Sequence, residues 1–260
     1  MSNRRRLHQS EVQAYLKCGL MWQYRYVDGL KMPPKAALTL GSAVDAAVTK
    51  NLQQKIESNL DMPTEAVLDA FSSDFDTRAK ETEWDPDEDA GKEKDKGVQM
   101  VRAHHEHAAP KIQPETVQES FVIETDAGYD LGGTIDLVEK SGVIADTKTA
   151  KAAYAENAIE RAMQPALYDF AYEALRGKPA EGFRYDVLVK PTAKKPAEYK
   201  PVAGKVTAED REFLFLTINN VHKAMEAGIA MPAPEAPGVW WCSRGWCGYA
   251  AICPKFKGRK

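Results

Sequence analysis

The periodicity of the chain changes at Thr116, and that change limits the fold more than any other feature. Before it, apolar residues recur at helical spacing: Leu40, Val44, Ala47, Val48 and Leu52, then Leu68, Phe71 and Phe75 after the break at Pro63. A further helical stretch ends at Pro110. From Thr116 the runs shorten to "TVQESFVIET", "YDLGGTIDLV" and "GVIADTKT", rich in β-branched residues and separated by turn residues. A long helical pattern, "AENAIERAMQPALYDFAYEALRG", then closes at Gly177 and Pro179. After it come "GFRYDVLVK", its hairpin partner "AEYKPVA", and a helix from Thr207 to about Ala227. The expectation is an α/β chain, a mixed central β-sheet flanked by helices, in a single domain over 1–260. Within it we expect a helical region at 1–110, a core at 111–206, and a C-terminal helix with a cysteine cluster at 207–260.

At the start, Ser10-Glu-Val-Gln13 has the form of a capping box, so a helix should carry Val12, Tyr15, Leu16 and Trp22 on one stripe, with Cys18 on the same helix. Arg4 to Arg6 lead into mixed polar sequence rather than an apolar signal core, and no apolar run reaches membrane-spanning length. A cytoplasmic protein with no membrane partner is expected. The net charge of -3 hides an uneven distribution. Acid gathers in "ETEWDPDEDAGKEKD", and base at Arg4 to Arg6, Lys190 to Lys205 and Lys255 to Lys260. Such basic segments suit a local nucleic-acid groove, and equally a solvated surface.

The candidate chemistry lies on two of the short strands. Lys140-Ser141-Gly142 suits a three-residue hairpin loop, which pairs Glu139 with Val143 and sets Asp136 opposite Asp146. Residues two apart share a strand face, so Asp146 and Lys148 point the same way and Thr134 faces Lys148. Like charges placed opposite each other are destabilising unless one takes a proton or a cation comes between them. Hard oxygen ligands suit Mg²⁺ or Mn²⁺, and an adjacent lysine can orient an attacking water or stabilise charge developing at phosphorus. The plain alternative is a surface salt bridge on a hairpin. Glu198-Tyr-Lys200 shows how readily such a triplet arises without a partner strand.

These residues carry a resemblance. "GGTIDLV" and "GVIADTKTAK", followed by "QPALY", resemble the PD-(D/E)xK nuclease superfamily, and within it the RecB-like iron-sulfur exonucleases and the related CRISPR-associated nucleases. The resemblance covers nearly the whole chain and implies a restriction-endonuclease-like core. It places a helical motif at Gly41 to Asp45, the first aspartate at Asp136, the D-x-K pair at Asp146 and Lys148, and Q-x-x-x-Y at Gln164 and Tyr168. It implies that Asp45, Asp136, Asp146 and the Thr147 carbonyl hold Mg²⁺ or Mn²⁺. Lys148 then assists the water, and Gln164 and Tyr168 position the water or the scissile phosphate. Asp45 stands where RecB-like members usually carry histidine; related phage-type exonucleases carry carboxylates there.

Cys242, Cys247 and Cys253 follow a C-x4-C-x5-C spacing, with Cys18 far upstream. Four thiolates can hold a 4Fe-4S cluster or zinc, or can simply pack as buried thiols. Trp240, Trp241 and Trp246 would cover a cluster, and the iron-sulfur branch has one N-terminal and three C-terminal cysteines. His104, His105 and His107 lie on one helix but point apart, which favours a polar face over a metal site. The function expected is a metal-dependent DNA exonuclease in recombination, repair or end processing. Its substrate would be DNA with a free end, its partner a recombination or single-strand-annealing protein, and its setting the cytoplasm, the host's if the gene is phage-borne. The alternatives are a non-catalytic iron-sulfur DNA-binding module and a CRISPR spacer-processing nuclease.

Overall fold

The computed structural model describes residues 4–257, so the end of the basic tail, residues 258–260, lies outside the described residues. In chain order the elements are β1 (Arg5–His8), α1 (Gln9–Lys17), α2 (Gly19–Trp22) running into a π-helical turn at Gln23–Val27, and α3 (Ala36–Ser58). They continue with α4 (Thr64–Ala79), α5 (Ala90–His107), β2 (Pro114–Glu124), β3 (Tyr129–Glu139) and β4 (Val143–Ala150). Last come α6 (Met163–Arg176), β5 (Gly182–Val189), β6 (Glu198–Gly204) and α7 (Ala208–Glu226). The strands form a mixed sheet in the order β1-β3-β4-β5-β6, with β2 also paired to β3. This is the expected α/β architecture. Among the described residues, no helix is long and apolar enough to cross a membrane.

The chain divides into two compact units. The second unit, Pro33–Phe121 with Thr134–Arg211, contains the second half of β3 and all of β4, β5 and β6. There β3 and β4 are antiparallel, with Leu137 opposite Ala145 and Val138 opposite Ile144. The turn between them rests on Gly142 at φ 85, a left-handed conformation that favours glycine. β5 joins β4 in parallel and β6 closes the edge antiparallel. On one sheet face Leu137, Ala145 and Leu188 pack into an apolar cluster with Leu40, Val44 and Val48 of α3, and with Phe71, Phe75 and Met100 of α4 and α5. The other face meets α6, where Tyr168 lies edge-on to Phe121 and close to Phe183. That placement sets α6 against the face that carries Asp146.

The same unit holds a buried polar network on the α5 face. Arg184 donates to both oxygens of Asp186 at 2.7 and 3.0 Å and pairs with Glu139 at 2.6 Å, while Tyr199 donates to Asp186 at 2.6 Å. His104 of α5 is buried nearby, and its burial pushes its pKa down to about 4, so it is neutral. His107 is exposed on the same helix.

The first unit gathers the residues up to Met32, Val122–Gly133, and those from Glu212 on. In it β1 runs parallel to the start of β3, with Leu7 opposite Leu131. Tyr15 donates to the Ile229 carbonyl at 2.6 Å and Tyr249 to the Leu30 carbonyl at 2.7 Å, tying the C-terminal segment to the N-terminal helices.

Local expectations for the start of α1, for Cys18 and for the start of α6 are corrected. The Ser10 capping box does not form: α1 begins at Gln9, its N-cap His8 makes no side-chain bond, and Leu16 is exposed. Glu11 is drawn inside instead, accepting from Trp22 Nε1 at 3.0 Å and pairing with Arg5 at 2.5 Å. Cys18 does not ride on α1. It is the extended residue between α1 and α2, and its Sγ accepts from the Met21 N–H at 3.4 Å. The other correction concerns α6, which starts at Met163 and not at Ala155. Residues 155–162 form successive tight turns, and Arg161 has φ 54, with its N–H donating to Asp210 Oδ1 at 3.0 Å.

Candidate active site

The second unit brings together Asp45, Asp136, Asp146, Lys148, Gln164 and Tyr168 from four elements. Asp146 is 1% exposed, in the middle of β4. Lys148, two residues on, shares its face, and its Nζ stands 2.7 Å from Asp146 Oδ2. The pair is not aligned as a hydrogen bond, so Oδ2 has no hydrogen-bond partner. The other oxygen accepts from Gln164 Nε2 at 2.7 Å, and the same amide lies 3.1 Å from Tyr168 OH. Gln164 and Tyr168 are four apart on α6 and therefore present one face to β4.

Asp136 enters from β3. Continuing the register of Leu137 with Ala145 by one step sets it across from Asp146. Burial, then the Asp146 charge beside it, pushes the Asp136 carboxyl well above the usual carboxylate range. Asp45, on α3, is pushed up to about 6 by burial and then by the charge of Asp146. Both shifts follow from burying carboxylates side by side, with Lys148 the nearby cation that opposes them. Tyr168 is likewise raised, by burial first and then by the charge of Asp136.

Thr147 alternates to the opposite strand face, paired in register with Asp186. Thr134 engages Ser120 across β2 at 3.1 Å. Among the described residues, no three His, Cys, Asp or Glu side chains stand ready-made as a metal cage. The donor set nevertheless fits a hard divalent ion: Asp45 and Asp136 are both raised by burial and by the charge of Asp146, whose Oδ2 meets only the Lys148 ammonium as an ion pair.

Two contributors were not read from the sequence. Gln118 on β2 has φ 56 and reaches Asp136 Oδ1 at 3.5 Å and Thr49 Oγ1 at 3.4 Å. Tyr185 of β5, next to Asp146 in the parallel register, lies under Lys148, whose Nζ is 5.9 Å from the ring centroid. A left-handed glutamine in a strand leaves no periodicity signal, and Tyr185 reads as ordinary core.

The family model described as the PD-(D/E)XK nuclease superfamily matches residues 6–254. The chain belongs to the PD-(D/E)XK nuclease superfamily. A solved structure from Eubacterium rectale, named as a candidate exonuclease, has the same fold at TM-score 0.58 and 14% identity, over 96% of this chain and 87% of that one. SSO0001, at 11% identity over 95% of each chain, gives a TM-score of 0.35. No curated protein matches. As a member of this superfamily the chain is a nuclease acting on DNA, and divalent metal ions are the family's usual cofactor.

In the first unit, Cys18, Cys242, Cys247 and Cys253 line one pocket. Lys255 Nζ donates to Cys242 Sγ at 3.4 Å. Burial first, and then the other three cysteines, push the Cys247 thiol up. The expected tryptophan cover is corrected: the cavity walls are Tyr24, Tyr249 and Phe256, and none of Trp240, Trp241 and Trp246 lines it.

Proposed function

We propose that this nuclease is a Mg²⁺- or Mn²⁺-dependent DNA exonuclease that hydrolyses phosphodiester bonds from a free end, in recombination, repair or end processing. The observation that carries the reading is Asp146: buried, opposed by Asp136, with one oxygen held by Gln164 and the other facing the Lys148 ammonium on its own strand face. Asp45, Asp136, Asp146 and the Thr147 carbonyl would hold the ion, which when bound polarises the scissile phosphate and acidifies the attacking water. Gln164 fixes the Asp146 carboxylate through its amide and leaves Tyr168 OH beside the site. Lys148, steadied over the Tyr185 ring, is placed to orient the water or to stabilise negative charge building on the phosphate oxygens.

The four cysteines, on this reading, bind a 4Fe-4S cluster. The four line one pocket, and four thiolates are the ligand set such a cluster takes. End-labelled single- and double-stranded DNA, incubated with Mn²⁺ and with a chelator, tests the hydrolytic reading. Release of labelled nucleotide only with metal, abolished in Lys148→Ala, is the expected result. Cleavage in chelator, or full activity of Lys148→Ala, would overturn it.

A further inference from the structure

The C-terminal indoles that do not cover the thiols face water. Trp240 and Trp246 are 60% and 64% exposed, and their ring centroids lie 4.8 Å apart at 73°. Trp241 stands edge-on to Trp240 at 5.9 Å and is anchored by its Nε1 to the Lys17 carbonyl at 3.4 Å. Two adjacent indoles left in water mark a surface that something covers.

The charge around them states what kind of partner fits. From Ala236 to Lys257 the chain carries Arg244, Lys255 and Lys257 and no carboxylate, in a protein whose net charge is -3, with Lys255 paired to Glu235 just before the segment at 3.7 Å. Arg244 is held in place, its guanidinium 5.5 Å from the Phe256 ring centroid and its Nη2 donating to the Phe256 carbonyl at 2.8 Å. Exposed aromatic faces interleaved with fixed cations match an unpaired nucleic-acid strand, whose bases stack and whose phosphates meet the positive charge. A duplex keeps its base faces inside the stack and cannot use the indoles.

We propose that Trp240 and Trp246, with the cations Arg244 and Lys257 of the same segment, form a stacking grip for single-stranded DNA on the unit that does not carry the hydrolytic carboxylates. The grip rests on the nuclease reading for the identity of its strand.

The test is fluorescence anisotropy of the full chain in chelator, with a fluorescein-labelled oligothymidylate, a labelled duplex of the same length, and anionic phosphatidylglycerol vesicles as a third ligand. The double variant Trp240→Ala, Trp246→Ala should bind the oligothymidylate at least about tenfold more weakly and the duplex as before. The matching pair of Trp→Phe changes should restore most of the loss, which separates stacking from folding. Arg244→Gln with Lys257→Gln should flatten the salt dependence by about 0.7 per charge removed. Unchanged single-strand affinity in the double alanine variant overturns the grip. So does equal loss on single strand and duplex, or an indole-dependent preference for vesicles over DNA. If the native chain cleaves no DNA yet the indole-dependent binding holds, the nuclease reading falls and the grip stands. If it cleaves normally and the alanine variant binds unchanged, the grip falls alone.

Discussion

At the scale of single residues, Asp45 is the most informative position, because its charge is unwelcome in the absence of metal. Its folded pKa of about 6 lies above the 3.8 of an unconstrained aspartate, so between those values the folded state holds more protons than the unfolded one. Stability contributed by the protonated form is therefore present below about pH 4 and lost as pH rises through 6. In chelator, Asp45→Asn should raise stability at pH 7.5 by on the order of 2–3 kcal/mol and leave it unchanged at pH 3.5, measured by denaturant unfolding at both values. The same variant should need much more Mn²⁺ for activity, since the amide keeps the shape and loses the charge. A variant destabilised at pH 7.5 would contradict the crowding of carboxylates described for this site. Asp136, Asp146 and Lys148 were legible because strand alternation and a three-residue turn fix which side chains meet. Gln118 was not, since its approach to Asp136 depends on a left-handed backbone that no residue type announces.

At the scale of elements, α3, α4 and α5 pack so closely that one glycine decides the fit. A β-carbon on Gly97 would lie 2.0 Å from Phe71 Cζ and 2.9 Å from Leu40 Cδ1, so α5 would have to move away from α4 and α3. Helix propensity alone favours alanine there by about 1 kcal/mol. Overpacking should win, and Gly97→Ala is expected to destabilise by about 1–3 kcal/mol in denaturant unfolding. Because α3 carries Asp45, the variant should also need more metal for half-maximal cleavage. A more stable Gly97→Ala protein would show that Phe71 can turn aside. The helices and strands themselves were readable wherever apolar spacing was regular, and α3, α4 and β2 to β6 fall where the pattern puts them. The start of α6 was not readable, because the turn at Arg161 is held by Asp210, a long-range bond that overrides the good helix formers from Ala155 on. The start of α1 was misread for a related reason: Glu11 turns inward to Trp22 and Arg5, and the capping box has no part in the helix start.

At the scale of the whole molecule, the four thiols come from the two ends of the sequence, and every proposed hydrolytic residue lies in the other unit. Cys18→Ser should therefore lower bound iron and thermal stability together in anaerobically purified protein, read by visible absorbance, iron content and melting. Below its melting temperature the folded fraction should cleave DNA at the parent rate per folded molecule. A colourless protein with one zinc per chain would replace the cluster with a zinc staple, and a stable, metal-free protein would reduce the cysteines to packing. The division into units also bears on the order of synthesis. All of the second unit has been made once Arg211 is joined, whereas Cys18 must wait for Cys242, Cys247 and Cys253. At roughly 5–20 residues per second on the ribosome, that interval is on the order of ten seconds or more. For the last 42 residues of it, from Arg211 to Cys253 and about 2–8 s at that rate, the second unit can be complete while Cys18 still lacks the partner thiols of the proposed cluster, so its assembly would be timed by the last segment.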